Sequence, residues 1–457
     1  MTATRVPGPP GLPLLGSLLD LRRDPLGTYL AARHEHGDVV RFLIGPPGLR
    51  GELYLVASPE GVQQVLATES ANFRKDNVFY GEVRASFGNG LLTSQDEDYV
   101  RQRRLVQPLF TRRRVDQYAD AIATETDALA ARWAAAPDGV VDAAEEMSRF
   151  ALRTVSRILF GQDVEQAVGT VHEAFPVLGA FVRSRGFAPV RLPRDWPLPA
   201  HRKALEAERA LYAVCDAIIA RRAAEGVTED REGEDLLGLL AKARDEDGNR
   251  LDATELREQV LIFLLAGHET TATSLTFALH LLGKHPEHQR LAHREAAALL
   301  ADGRRPTAAD YPRLPYLTRV LKEAMRLFPA APAVGRRAVH STVVDGVEIP
   351  AGADVLIAPY VTHRHPAHWD DAERFDPDRF TPEREAGRHR YAWFPFGGGP
   401  RACIGQHFSM LESVLALAVL LREFEITAVD TEIPLGQGIT LEVRGPARLR
   451  LTRRQAG

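Results

Sequence analysis

The spacing of apolar residues changes period along the chain, and the change marks out its elements. Near the N-terminus the runs VVRFLIG (39 to 45) and ELYLVA (52 to 57) predict strands. Ser58-Pro-Glu follows, and a serine cap with proline at the first helical position predicts a helix start. Residues 70 to 94, rich in Gly, Asn and Phe, read as a long ordered loop of the kind that carries function in compact domains. From about 95 to 330 the pattern is mostly helical. Its clearest element begins at Asp252, a candidate N-cap, and ends near His285, where Pro286 stops it. At about 1.5 Å per residue, such a helix crosses the whole molecule. Strand and turn signals return from about 333 to 365 (VVDGVEIPAGADVLIAPY), and a last helix spans about Gly405 to Glu423.

No repeat, low-complexity tract or Gly/Ser linker interrupts the pattern, so residues 1 to 457 are expected to form a single domain, mainly α with small β-sheets (α+β). An apolar content of 45% is ample for a large core. The 57 Lys plus Arg nearly balance 61 Asp plus Glu, which excludes a bulk field drawing the chain to nucleic acid or a membrane. Two cysteines, Cys215 and Cys403, suit a reducing cytoplasm, and without a Cys-x-x-Cys pair there is no zinc cluster of that kind. The opening MTATRVPGPPGLPLLG has no signal-peptide pattern, and the apolar run Val260 to Gly267 is too short to cross a bilayer. A soluble cytoplasmic protein without a membrane anchor is expected.

Chemistry concentrates in FPFGGGPRACIG (394 to 405), where one cysteine stands among four glycines, two prolines and two phenylalanines. A lone cysteine usually packs as a small hydrophobe. Here glycines let backbone N–H groups approach a ligand, and Phe396 can wall a sulfur off from water. The run Phe396-Gly-x-Gly-x-Arg401-x-Cys403-x-Gly405 resembles the haem-binding loop of the cytochrome P450 superfamily, in which the cysteine thiolate is the axial iron ligand.

Further motifs fall in that family's order. Glu323-Ala-Met-Arg326 is similar to its Glu-x-x-Arg helix, and Phe375-Asp-Pro-Asp-Arg379-Phe380 to the segment supplying the third member of a structural Glu-Arg-Arg triad. Ala266-Gly-His-Glu-Thr-Thr271 resembles the oxygen-binding segment of the distal helix. By that resemblance Gly267 permits a local opening beside Ala266, while Glu269 and Thr270 form the acid and alcohol pair that relays protons. Alternative readings of that segment are a polar stripe with Thr back-bonding, or a His-Glu-x-x-His zinc motif, which Ala272 breaks. Tyr99-Val-Arg-Gln-Arg103 stands where the family commonly has Trp-x-x-x-Arg, so Tyr99 and Arg103 share a helix face toward a haem propionate. Arg401 and an arginine of Gly335-Arg-Arg are implied to complete propionate binding; either Arg336 or Arg337 can face inward, and Arg336 is the candidate. Pro7-Gly-Pro-Pro-Gly-Leu-Pro is similar to the proline-rich start of the catalytic domain.

The resemblance implies a haem-thiolate monooxygenase. It would bind haem b and insert one oxygen atom from O2 into a C–H bond of a small apolar molecule, a terpenoid or polyketide of secondary metabolism, with a fatty acid as the alternative substrate. NAD(P)H electrons would arrive through a ferredoxin and its reductase, and the enzyme would act as a monomer. The implied pocket comprises Phe79, Tyr80, Phe87, Ala266, Ala331, Ala333, Val334 and Ile439. Two other classes are a peroxygenase, which usually lacks the acid and alcohol pair, and a non-catalytic haem carrier. His363, His365 and His368 are broken by Pro366 and read as structural, and Cys215 reads as core. Arginines 101, 103, 104 and 112 to 114 have no interleaved aromatics for nucleic acid; the family places them on the face where the electron donor docks.

Overall fold

The structure, a computed structural model, describes residues 6–48, 50–161, 165–186, 188, 191–224, 235–245 and 248–455. The elements that shape the site are, in chain order, strands β1 (Val39–Ile44), β2 (Gly51–Val56) and β3 (Phe73–Arg74) and helices α1 (Val78–Phe87), α2 (Asp96–Val106), α3 (Ala143–Phe160) and α4 (Glu165–Gly186). Then come the long helix α5 (Ala253–Lys284), α6 (Pro315–Leu327), strands β4 (Val334–Ala338) and β5 (Asp354–Ile357), α7 (Gln406–Glu423) and a hairpin of β6 (Leu435–Gln437) and β7 (Leu441–Val443).

Helix α5 starts where the sequence places it. Glu255 N donates to Asp252 Oδ1 at 2.8 Å and Asp252 N donates to Glu255 Oε2 at 3.0 Å, a closed capping box. This helix is long and apolar enough to cross a membrane by length and composition, contrary to the reading of short apolar runs. Its most apolar window is 78% buried inside the protein, packed among α3, α6 and α7, and that accounts for its apolarity.

Strands β1 and β2 pair in antiparallel register, Val39 opposite Val56. The sheet order is β1-β2-β5-β4-β3, with β2 and β5 parallel and the other neighbours antiparallel. Ser58 caps the following helix through its Oγ, which accepts from Gly61 N at 2.9 Å. One expectation fails. The segment 70 to 94 is not a loop throughout, because it contains β3 and the ten-residue α1. Asn77 caps α1 by accepting from Tyr80 N at 3.0 Å, so local cap chemistry outweighs the Gly-, Asn- and Phe-rich composition.

Behind the cysteine loop, Glu323 and Arg326 on α6 are both fully buried. Arg326 grips Glu323 with two bonds, Nε to Oε2 at 2.6 Å and Nη2 to Oε1 at 2.8 Å, and donates to the carbonyls of His363 and Ala372. Arg379 Nε stands 3.4 Å from Glu323 Oε1, and Asp376 N donates to the same oxygen at 2.9 Å. The triad therefore pins the segment before the cysteine loop to α6. The histidines beside it are structural: His363 Nε2 accepts from Phe394 N at 2.9 Å, and His365 lies 3.1 Å from Asp38. Cys215 is fully buried in the core, and burial pushes its thiol up to about 12.

Candidate active site

The cysteine loop bends back on itself through left-handed glycines, Gly397 at φ 70° and Gly399 at φ 63°. A side chain at Gly399 would place its Cβ 1.9 Å from the Leu66 carbonyl oxygen, so only glycine fits that approach. Cys403 N donates to Phe396 O at 2.8 Å and closes the turn. The sulfur is accessible, yet it lies deep in the molecule, because its open side faces an internal cavity rather than bulk water. Burial raises the thiol's pKa, opposed by the Gly405 N–H and by the charges of Arg103 and Lys75.

That cavity, of about 320 Å³, lies between the cysteine loop and α5. Ala266, Gly267, Thr270, Thr271 and Ser274 form its distal wall, while Leu91, Leu92, Ile262 and Phe263 give it an apolar flank. Of the expected pocket residues, Ala266, Ala331 and Val334 line it. Phe79, Tyr80, Phe87, Ala333 and Ile439 do not. Phe87 stacks on Phe175 of α4 with ring centroids 5.6 Å apart, and Phe79 meets Tyr80 edge-on. Ala333 packs beneath the sheet, and Ile439, in the hairpin turn, packs on the main core.

At the other end four cations meet. Arg103 Nη1 donates to Ala402 O at 2.8 Å, and Tyr99 beside it donates through its hydroxyl to Pro400 O at 2.8 Å. Tyr99 and Arg103 thus share a face, as their spacing predicts, and hold the cysteine loop. Arg401 lies 3.8 Å over the Tyr99 ring and donates to Ser94 O at 2.7 Å. Arg336 is buried and Arg337 exposed, which decides between the two. The fourth cation is Lys75, 4.4 Å over the Tyr80 ring, which the sequence reading missed because a single lysine in FRKDN carries no pattern.

Among the described residues none of these four cations pairs with a carboxylate. Burial, then repulsion from Arg336 and Arg401, holds the Lys75 amine well below its usual range. Burial pushes Arg401 down to about 10, with Arg336 adding to the shift, and burial likewise lowers Arg336. Such a cluster demands anionic groups. A haem with two propionates at the cation end and its iron over Cys403 fits these residues.

The distal helix departs from expectation at two points. It is α-helical throughout, with no opening at Gly267. Instead, a Cβ there would lie 2.8 Å from Val155 Cγ2, so the glycine serves the close approach of α3. Thr270 Oγ1 donates to Ala266 O at 2.7 Å, the back-bonding geometry. Glu269 does not line the cavity; its Oε2 accepts from Thr440 Oγ1 at 3.1 Å, a partner with no sequence signal. Burial pushes this carboxyl up to about 7, with Thr440 lowering it and Glu442 raising it.

Comparison with known proteins covers nearly the whole chain. The family description Cytochrome P450 matches residues 6–443. Pentalenene oxygenase of Streptomyces avermitilis is 37% identical over 97% of this chain and 96% of its own length. Cyclooctatin synthase of Streptomyces melanosporofaciens is 38% identical over 90% of this chain and 88% of its own. The crystal structure of the cytochrome P450DA heme domain superposes with a TM-score of 0.88 at 29% identity, covering 99% of this chain and 98% of that one. Together with the cysteine loop and the carboxylate-free cations, these matches establish that the chain belongs to the cytochrome P450 family and is a haem-dependent monooxygenase.

Proposed function

We propose that this monooxygenase hydroxylates a terpenoid of secondary metabolism. The observation that carries the reading is similarity along almost the whole chain to pentalenene oxygenase and cyclooctatin synthase. The apolar flank of Leu91, Leu92, Ile262 and Phe263 supports it, since it offers a hydrocarbon skeleton contact without hydrogen-bond partners.

Haem, when bound, supplies the iron at which O2 is activated and from which one oxygen atom reaches the substrate. The chain's own residues do the rest. Cys403 would ligate the haem iron through its sulfur, and Arg103, Arg336, Arg401 and Lys75 would hold the propionates. Ala266, Ala331 and Val334 leave room beside the reacting carbon. Thr270 can turn its hydroxyl from Ala266 O toward the cavity and hold a proton there. Glu269, one residue earlier and raised to about 7, exchanges protons near neutral pH to refill it. Electrons reach it from a ferredoxin and its reductase in the cytoplasm, a reading supported by the similarity to Streptomyces oxygenases. A core cluster running from Leu26 to Leu451 supports one catalytic unit over the chain.

A panel of terpene hydrocarbons and fatty acids, titrated into the ferric holoenzyme, tests the substrate. A terpenoid should displace water and shift the haem from low to high spin, and turnover should add one hydroxyl to it. A spin shift with fatty acids alone overturns the reading.

A further inference from the structure

Glu412 lies on α7, the helix that leaves the cysteine loop, and is fully buried. Neither of its carboxyl oxygens has a hydrogen-bond partner. The groups that face it are two hydroxyls, Thr154 of α3 and Thr271 of α5, both buried, and among the described residues no charged group does. Thr154 Oγ1 gives its one hydrogen to Phe150 O at 3.0 Å, so it offers Glu412 only lone pairs. Thr271 Oγ1 lies 3.4 Å from Ser409 Oγ of α7, and both of these residues line the haem cavity. An ionised carboxylate here would be a buried charge with no cation and at most the single Thr271 hydroxyl as a donor, an arrangement proteins avoid. A carboxylic acid carries the hydrogen those lone pairs lack.

We propose that Glu412 stands as a neutral carboxylic acid and is a positioning residue for the haem cavity. Its O–H goes to the Thr271 hydroxyl and turns the Thr271 hydrogen onto Ser409, so that the distal helix α5 is tied to α7. The wall above the haem is thereby held at a fixed distance from the helix that follows its cysteine ligand. Burial, which pushes this carboxyl well above the usual range, agrees with that assignment. The proposal goes beyond the substrate reading and does not depend on it. It also predicts that no proton leaves Glu412 during turnover, in contrast to Glu269.

The test uses the full-length holoenzyme. Infrared difference spectra of the wild type against Glu412→Gln at neutral pH should show a carboxylic-acid C=O band that belongs to Glu412. Glu412→Leu, similar in size but without hydrogen bonding, should release haem to apomyoglobin about tenfold faster and divert more NADPH to peroxide. Glu412→Gln keeps a neutral donor and should restore both properties. The proposal is overturned by absence of the acid band, by a Leu variant equal to the wild type, or by a Gln variant as impaired as the Leu variant. If Glu412→Leu does not fold, the band and the Gln variant decide the question by themselves.

Discussion

Thr440 Oγ1 donates to Glu269 Oε2 at 3.1 Å and joins the turn of the β6–β7 hairpin to the distal helix. The acid of the proposed proton pair is therefore held by a residue far away in sequence. Because this bond favours the ionised carboxyl, Thr440→Val should raise the pH at which Glu269 ionises. Product formed per NADPH should drop about fivefold near neutral pH, the worth of one hydrogen bond of about 1 kcal/mol. A pH profile of coupling identical to the wild type would show that the bond has no part in proton supply.

The same carboxyl should leave a mark on stability. Its pKa rises from 4.5 to about 7 on folding, so between those values the folded chain keeps a proton that the unfolded chain has lost. Stability relative to Glu269→Gln should therefore be highest below about pH 4.5, fall as pH rises to about 7, and level off above. Thermal denaturation of both proteins across that range measures the difference, and a rise with pH would contradict the burial of Glu269.

Arg336 is buried at the cation end of the cavity, while Arg337, its neighbour on β4, faces outward. Arg336→Leu should weaken haem retention about tenfold, as expected for loss of a charge-assisted contact. Arg337→Leu should leave haem content near the wild-type level. Equal loss in both variants, measured by haem release, would remove Arg336 from propionate binding.

Glu323→Gln breaks a fully buried pair and leaves Arg326 and Arg379 without their shared carboxylate. A loss of about 3–5 kcal/mol is expected, and cells should yield apoprotein or aggregate. Recovery of holoenzyme at wild-type yield would refute the structural role.

Of the arginines assigned by sequence to a docking face, Arg101 is already paired with Glu255 of α5. Arg104 and Arg112 to Arg114 remain exposed. Reversing Arg104 and Arg113 to Glu should raise the apparent KM for ferredoxin and flatten its salt dependence, since exposed charges act mainly on association. Turnover driven by peroxide should hardly change. A parallel loss in both routes would mean that these arginines hold haem or fold.

The sequence by itself determined the local chemistry of this protein. The glycines and cysteine of 396 to 405, the Asp252 and Glu255 cap and the Glu323 and Arg326 pair each act within a few residues of one another, where backbone geometry fixes what can meet. The cysteine loop and the order of motifs were thus enough to reach the family. Tertiary structure decided what depends on distant segments coming together. Lys75 joins the cations because β3, just before it, pairs with β4, Thr440 reaches Glu269 because a late hairpin closes over α5, and Gly267 is filled by Val155 of α3. Phe87 stays out of the cavity for the same reason, since it is fully buried and stacks on Phe175 of α4. Such choices are set by competition among packing partners, and no spacing along the chain encodes which partner wins.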